Sequence, residues 1–169
     1  MNTSGFYKVY GATEDNTGLT QIGKKNWLFV FGFFKDNGAD SGWHYRKNYN
    51  HKPSEEELKN DLEQLINSIT DQSILNGFVW KDMPVYLSTE NQMNFKAVYD
   101  LTIQTSGKTL PVQFKLGEDA EGNAVYYKFT DMETFTDFYS KAVAYIMDCI
   151  NMGWVKKDSI DYNKLLGNE

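Results

Sequence analysis

The chain holds two histidines, His44 and His51, and they are the residues best suited to acid–base chemistry near neutral pH. Both lie in one polar and aromatic segment, where they could share a metal ion or act as an acid and a base. No cysteine is near them in sequence and no carboxylate stands between them, so the segment lacks the further ligands of a metal site. We therefore expect no metal, no cofactor and no catalytic role here, and favour a surface interaction role for both histidines.

The single cysteine and the acidic clusters also have structural explanations. Cys149 has no partner for an internal disulfide, and it falls on the apolar side of a predicted helix, where a thiol packs as a small apolar group. The acidic run Glu55–Glu57 fits the start of a helix, whose positive end attracts carboxylates. The segment Glu118–Asn123 resembles a calcium loop but lacks its alternating ligands and terminal glutamate, so we expect a solvated hairpin loop.

Composition and missing motifs narrow the class of function. The 169 residues carry a net charge of −6, which argues against a dedicated nucleic-acid binder. The longest apolar run, Trp27–Phe34, is too short to cross a bilayer, and the N-terminus does not resemble a signal peptide. Dinucleotide, P-loop, zinc-protease and serine-hydrolase motifs are missing. Aromatic residues make up 15% of the chain, and we expect a soluble, non-enzymatic protein that binds other proteins.

The first fifty residues are predicted to form strands, because β-forming residues cluster there between Gly and Asn. The expected strands are Phe6–Tyr10, Leu19–Ile22 and Trp27–Phe34. The last of these does not alternate between polar and apolar residues, so both of its faces must be covered, either by this chain or by a neighbouring subunit. The second possibility makes Trp27, Phe29 and Phe31 candidate contact residues.

The segment Trp43–Lys52 is predicted to be a strand end followed by a loop. It holds four further candidate binding residues of types that often carry interface energy: Trp43, Tyr45, Arg46 and Tyr49. The alternative is that alternate aromatic side chains pack on the sheet while Arg46 faces water. Composition does not decide between the two.

Three capped helices are predicted in the rest of the chain. Capping boxes at Ser54/Glu57, Thr89/Gln92 and Thr130/Glu133 mark their starts. Gly153 marks the end of the third helix, with Trp154 folding back on the last turn. The apolar faces comprise Leu58, Leu62, Leu65, Ile66 and Ile69 in the first helix, Met93, Ala97 and Leu101 in the second, and Phe135, Tyr139, Ala142, Ile146 and Cys149 in the third.

Two hairpins precede the second and third helices. Phe78–Trp80 pairs with Val85–Leu87 around a turn, and Leu110–Leu116 pairs with Val125–Phe129, where Pro111 suggests an edge strand. The order strand, strand, helix thus occurs twice, through duplication or coincidence. We predict an α+β fold of antiparallel hairpins and about three helices in a single domain over residues 1–169. Within it, residues 1–50 are β-rich, 51–162 are α+β and 163–169 form a frayed tail.

Several segments together suggest a family. They are Gly77–Trp80, Pro84–Ala97, Leu110–Gly117 and the ending from Phe138–Tyr139 through Gly153–Trp154 to Lys157–Asp158; the strongest is the contiguous Leu87–Gln92. These residues resemble a poorly characterised domain found in structural proteins of tailed bacteriophages and in prophages of gut Bacteroidetes. The resemblance covers about residues 45–162.

The resemblance implies a component of the phage particle and brings no catalytic residues with it. We therefore expect an accessory head-fibre, tail-fibre or adaptor subunit that is made in the host cytoplasm and located in the virion. Its expected partners are other virion proteins and copies of itself, as a dimer or trimer, with no nucleic acid and no membrane. Two alternatives stay open: a carbohydrate-binding module for host surface glycans, and a small phage-encoded inhibitor of a host protein.

Overall fold

Eight strands and four helices lie within residues 5–167, which are the residues that this computed structural model describes. The strands form a four-stranded antiparallel sheet and two separate hairpins, so the predicted α+β class is confirmed. The chain divides into two units: unit 1 comprises Met1–Ser68 and Val155–Glu169, and unit 2 comprises Ile69–Trp154. The single domain predicted over residues 1–169 stays a prediction.

The sheet of unit 1 contains strands β1 (Tyr7–Ala12), β2 (Gly18–Gln21), β3 (Trp27–Phe34) and β4 (Gly42–Tyr49), in the order β1-β4-β3-β2. Strand β4 is therefore central and pairs on both sides. The strand end plus loop predicted at Trp43–Lys52 is corrected to a full strand through Tyr49. The full length of the strand was missed because many of its residues are polar, although alternate positions do fall on opposite faces of the sheet.

Strand β3 is covered on both faces, as its lack of alternation predicts. Phe29 and Phe31 are buried, and its other side chains are at least half-buried. A bulge between Phe31 and Phe34 interrupts the pairing with β4, and Gly32 occupies it with φ +71°, a left-handed conformation that favours glycine. The bulge turns the end of β3, where Phe34 stacks on Trp43.

Helix α1 (Glu55–Asn76) begins as predicted, because the Ser54 Oγ accepts a hydrogen bond of 3.1 Å from the Glu57 backbone N–H. Its predicted apolar face is buried apart from Ile69, which is half-buried: Leu58, Leu62, Leu65 and Ile66. Against the sheet of unit 1, Asp61 of α1 accepts hydrogen bonds from Lys47 and Tyr49 of β4. This contact fixes the first turns of α1 on one face of the sheet.

The frayed tail predicted for residues 163–169 is replaced by a short helix, α4 (Tyr162–Leu166). The Asp161 carboxylate caps it by accepting from the Lys164 backbone N–H at 3.0 Å, and Gly167 ends it with φ +67°. Leu166 is buried, whereas the side chains of a frayed tail would be exposed. Residues 168 and 169 lie outside the described residues.

Unit 2 repeats one order of elements. Hairpin β5 (Phe78–Trp80) and β6 (Met83–Val85) precedes helix α2 (Thr89–Gln104), and hairpin β7 (Val112–Glu118) and β8 (Ala124–Phe129) precedes helix α3 (Met132–Asp158). The two predicted strand–strand–helix units are thus found in the predicted order. Tyr86, just after β6, donates its backbone N–H to the Leu116 carbonyl in β7 at 2.7 Å, which ties the two hairpins together.

Much of the aromatic surplus fills the core of unit 2. Trp80, Phe129, Phe135 and Phe138 are buried there and stand at ring-centroid distances of 4.7–5.6 Å in the pairs that join them. Such aromatic pairs stabilise a core beyond the area they bury. A dense aromatic content is therefore accounted for in large part by folding.

The apolar side that the sequence predicts for α2 faces solvent and not the core. Met93, Ala97 and Leu101 are exposed, whereas Phe95 and Thr102 are buried. Apolar residues occur on both sides of this helix. The stripe that packs on the core starts at Phe95 and continues with Val98, Tyr99 and Thr102, at the spacing i, i+3, i+4 and i+7.

Two predicted helix starts and one helix end are also corrected. The cap of α2 is Ser88 rather than Thr89, and Asp131 rather than Thr130 accepts from the Thr134 N–H at the start of α3. Gly153 lies inside α3 instead of ending it. A Cβ there would come within 2.6 Å of the Thr70 Oγ1, so the close approach of α1 accounts for the glycine. Trp154 is exposed and does not fold back.

The turn between β5 and β6 carries local strain that a substitution should relieve. Lys81 and Asp82 both have positive φ, 49° and 61°, as in the two-residue hairpin turn that favours glycine at its second position. We expect Asp82→Gly to raise the free energy of unfolding by up to about 1 kcal/mol, and Asp82→Val to lower it by about 1–2 kcal/mol. Urea denaturation of both variants checks this; equal midpoints would contradict the strain.

Candidate functional site

The predicted contact residues lie in two neighbouring strands of unit 1, and most of them are interior. Four of the seven are buried: Phe29, Phe31, Tyr45 and Tyr49. Trp27, Trp43 and Arg46 are half-buried. The four buried side chains pack within the chain, which was the alternative to contact with a partner. A buried side chain offers no surface for such a contact. The physical reason for the burial of the four is that other parts of the chain cover them: Phe29 packs against Phe6, and Tyr49 lies under α1, where it hydrogen-bonds to Asp61.

Tyr49 belongs to a polar cluster beneath α1. Its hydroxyl donates to the Asp61 Oδ2 at 2.7 Å, and the Lys47 ammonium group pairs with the same oxygen. Burial, followed by the hydrogen bond and the charge of Asp61, raises the pKa of Tyr49 well above its usual value. The tyrosine therefore stays protonated, and the cluster fixes the helix on the sheet rather than providing an acid or base.

His44 lies on the opposite face of β4 and is also buried. Its Nε2 accepts a hydrogen bond of 2.8 Å from the Arg46 Nε, so the ring is neutral and its proton is on Nδ1. That Nδ1 is buried without a hydrogen-bond partner among the described residues. Burial and then the positive charge of Arg46 lower the pKa of His44 below 6.5.

Acid should therefore destabilise the fold through His44. Because protonation is disfavoured in the folded chain, the unfolded chain takes up the proton first as the pH falls below about 6.5. Stability from this residue is fully present above that pH and decreases below it. We expect the loss of unfolding free energy between pH 7.5 and 5 to be smaller in His44→Gln than in the wild type. His51→Gln controls for the loss of an imidazole, and identical slopes in wild type and His44→Gln would contradict the assignment.

The two histidines do not share a site. His51 is exposed and contacts the Glu57 Oε2 at 2.7 Å and the Asn50 Oδ1 at 2.8 Å, whereas His44 is held by Arg46. Over residues 5–167, three His, Cys, Asp or Glu side chains do not converge anywhere as a metal ion would require. No helix in the same part of the chain has the length and apolar character needed to cross a membrane.

Cys149 is a buried free thiol in α3, where it was predicted. Its neighbour Tyr145 donates a hydrogen bond of 2.9 Å to the Ser73 carbonyl. Burial, and then contact with Cys149, raises the pKa of Tyr145 to about 12. The thiol is buried beside a phenol that is itself held by the Ser73 carbonyl, in line with the predicted packing role of Cys149.

The calcium-like loop is closed by its own hydrogen bonds. The Asp119 Oδ1 accepts from the backbone N–H groups of Glu121 and Asn123 at 3.0 and 2.8 Å. These bonds, led by those from Asn123, lower the pKa of Asp119. The carboxylate thereby shapes the hairpin loop, in line with the solvated loop that the sequence predicts.

A cleft in unit 1 is lined by two of the predicted residues, Trp27 and Phe31. It has a volume of about 670 Å³ and lies against edge strand β2, the end of α3 and α4. The half-buried Trp27 contributes aromatic surface, whereas Phe31 is 3% exposed and contributes little. Lys52, Lys156 and Lys164 surround them, and the cleft also contains Asp15 and Asp161. Aromatic surface and charge thus meet at one place.

A second candidate surface is a stripe of apolar side chains on α3 of unit 2, which we call the α3 stripe: Val143, Met147, Ile150 and Trp154. Val143, Met147 and Trp154 are exposed to 42%, 46% and 56%, and Ile150 is half-buried. Val143 also lines an apolar groove of about 250 Å³ that continues to Met93 of α2. The stripe lies beside the buried seam of α3.

Sequence reasoning missed the α3 stripe although its signal was present. The spacing of 4, 3 and 4 residues is that of a helix seam that packs on another helix. The same helix carries a second row of apolar residues that is buried, and the prediction assigned the apolar pattern of the helix to that row alone. The lysines of the cleft were missed because Lys52 is about one hundred residues from Lys156 and Lys164 in sequence.

Comparison of the chain with models of protein families, with curated proteins and with solved structures gives no match.

Proposed function

We propose that this protein is a structural subunit of a bacteriophage virion, an accessory head-fibre, tail-fibre or adaptor protein, that acts by association and not by catalysis. The place in a virion rests on the resemblance of residues 45–162 to a phage-associated domain. The association rests on the α3 stripe, which we assign to contact with a second copy of the chain. The α3 stripe is the observation that carries this second part.

The α3 stripe has the length and pattern of a helix–helix contact. Its four residues lie within 12 positions of the helix, and the first and last are about 16 Å apart along its axis. Their spacing places them at alternating d and a positions of a heptad, so all four face one side. An exposed apolar row of this kind is stabilised when another apolar surface removes it from water.

The residues beside the stripe favour a copy of the same helix. The flanking positions hold Ala144, Ile146, Asn151 and Gly153, none of which is charged. A charged partner surface would find no opposite charge at these positions. A second copy of the stripe is apolar and uncharged in the same way, so the two surfaces match. Two copies related by a two-fold axis would each contribute the same row, as in most homodimers.

Net charge sets how this association should depend on salt. Unit 2 has six Lys and Arg against eleven Asp and Glu, so two copies repel each other at low ionic strength. Screening shortens the range of that repulsion to about 8 Å at 0.15 M salt. Self-association should therefore strengthen as salt is raised. Binding to a basic partner would weaken under the same conditions.

A charge in the centre of the stripe should abolish the dimer. We expect Met147→Glu to weaken self-association at least 100-fold, because two carboxylates would be buried without partners, at about 3 kcal/mol or more. Tyr126→Glu is the matched control: it adds the same charge to an exposed side chain of β8, outside the stripe. Light scattering gives the mass, and thermal denaturation confirms that both variants fold.

Two results would overturn this assignment. One is a Met147→Glu protein that dimerises as well as the wild type. The other is a wild type that stays monomeric at high protein and salt concentration; if it also captured a host protein, the inhibitor alternative would be favoured. The carbohydrate-binding alternative is supported by a different observation, the cleft around Trp27 in unit 1.

A further inference from the structure

We infer that the cleft of unit 1 binds an acidic sugar, a pyranose ring that carries a carboxylate. The inference does not depend on the association proposed for unit 2, because the cleft is lined by residues of unit 1 alone. It rests on three features that occur together: lysines that have no ion-pair partner, carboxylates with a free oxygen, and aromatic surface at the base.

The lysines provide the anion-binding part. Lys52, Lys156 and Lys164 all line the cleft, and none of them forms an ion pair among the residues that the structure describes. Two of them lie over aromatic rings instead, Lys52 at 5.7 Å from the Trp27 centroid and Lys156 at 5.4 Å from that of Phe31. Three cations in one cleft repel each other, and a bound anion relieves that repulsion.

The cleft is not a plain anion site, because it also holds carboxylates. The Asp15 Oδ1 accepts from the backbone N–H and the hydroxyl of Thr17, at 2.9 and 2.6 Å. The Asp161 Oδ1 accepts from the Lys164 backbone N–H. In each case Oδ2 has no hydrogen-bond partner within residues 5–167 and can accept from a ligand. Carboxylate oxygens accept from hydroxyl groups and repel phosphate or sulfate, so the ligand should carry both hydroxyls and a single negative group.

The aromatic surface suits the apolar face of a sugar ring. Phe31 is buried, and Trp27 is half-buried with part of its indole open to the cleft. Indole offers a large rigid apolar surface with a polar N–H at one edge. A ring that stacks there can place its carboxylate toward the lysines and its hydroxyls toward the aspartates.

Size and shape favour a sugar over an acidic peptide. A volume of about 670 Å³ falls in the range of sites for small molecules, roughly 300–1,000 Å³, and holds one or two sugar rings. An extended peptide would bind by adding a strand to edge strand β2. Helix α4 lies against that strand, which limits such pairing and leaves a short cleft.

Titration calorimetry and NMR of the full chain test the inference with four probes: glucuronic acid, glucose, inorganic phosphate and a tetraglutamate peptide. We expect glucuronic acid to bind with a Kd near 1 mM, typical of a single sugar ring in a half-open site and equal to about −4 kcal/mol. It should shift the indole N–H signal of Trp27. Glucose, phosphate and the peptide should each bind at least about tenfold more weakly.

Variants show whether the cleft is the site. The double variant Lys156→Ala and Lys164→Ala should weaken glucuronic acid binding at least about tenfold, whereas Lys24→Ala, an exposed lysine outside the cleft, should not change it. Both should fold, since the three side chains are exposed. The inference is overturned if glucuronic acid does not bind, if phosphate or tetraglutamate binds as tightly, or if the double variant binds like the wild type.

Discussion

Replacing Trp80 by alanine should lower the free energy of unfolding by about 3–5 kcal/mol, because it removes the largest side chain in the core of unit 2. Trp80 is 2% exposed, and its ring lies 5.6 Å from that of Phe129 and 5.2 Å from that of Phe138. Its indole N–H also donates to the Asp137 Oδ2 at 2.8 Å. The substitution therefore leaves a cavity and removes this hydrogen bond.

Two further variants separate the loss of ring packing from the loss of the hydrogen bond. Val79→Ala changes the adjacent residue of β5, which is 59% exposed, and should cost less than about 0.5 kcal/mol. Trp80→Phe keeps a ring but loses the hydrogen bond, so it should fall between the two. Urea denaturation followed by circular dichroism measures all three. A Trp80→Ala protein within about 1 kcal/mol of the wild type would mean that unit 2 does not pack as described.

Phe29→Ala should have a similarly large effect, about 3–5 kcal/mol of unfolding free energy, although the residue was one of the candidate contact residues. Its side chain is fully buried in unit 1, against Phe6 and Phe31 at centroid distances of 6.2 and 6.5 Å. If Phe29 were instead a contact residue, alanine would leave the stability of the monomer unchanged and weaken only its association.

Tyr10→Ala is the control for this second prediction. Tyr10 is an aromatic residue of the same sheet but is exposed, and its loss should change the unfolding free energy by less than about 0.5 kcal/mol. Denaturation at a protein concentration low enough to prevent association separates the two effects. Equal denaturation midpoints for Phe29→Ala and the wild type would mean that Phe29 lies at the surface and not in the core.

The elements that sequence predicts well are those in which local pattern and burial agree. The strict alternation of Val125, Tyr127 and Phe129 gave the strand β8, and the Ser54 cap gave the start of α1. Helix α2 was placed correctly but rotated, because Met93 and Leu101 are as apolar as the residues that pack on the core. Only the position of a neighbouring sheet decides between two apolar sides of one helix.

The candidate sites were harder to predict than the fold. The aromatic strand segments looked like binding surfaces, yet four of their candidate side chains, Phe29, Phe31, Tyr45 and Tyr49, are buried within the chain. The α3 stripe had a readable heptad spacing, but its exposure depends on which seam faces the core. The cleft joins β2 and Trp27 with residues after 155, a proximity that depends on the fold of unit 1 and leaves no local pattern.

Sedimentation equilibrium of the unmodified chain, at rising protein concentration and at two salt concentrations, tests the proposed association most directly. The chain has a mass of 19.5 kDa. We expect the measured mass to rise toward twice that value with concentration, and to do so at lower concentration in high salt, because screening removes the repulsion between acidic units. A mass that stays at 19.5 kDa under all conditions would contradict the proposed self-association.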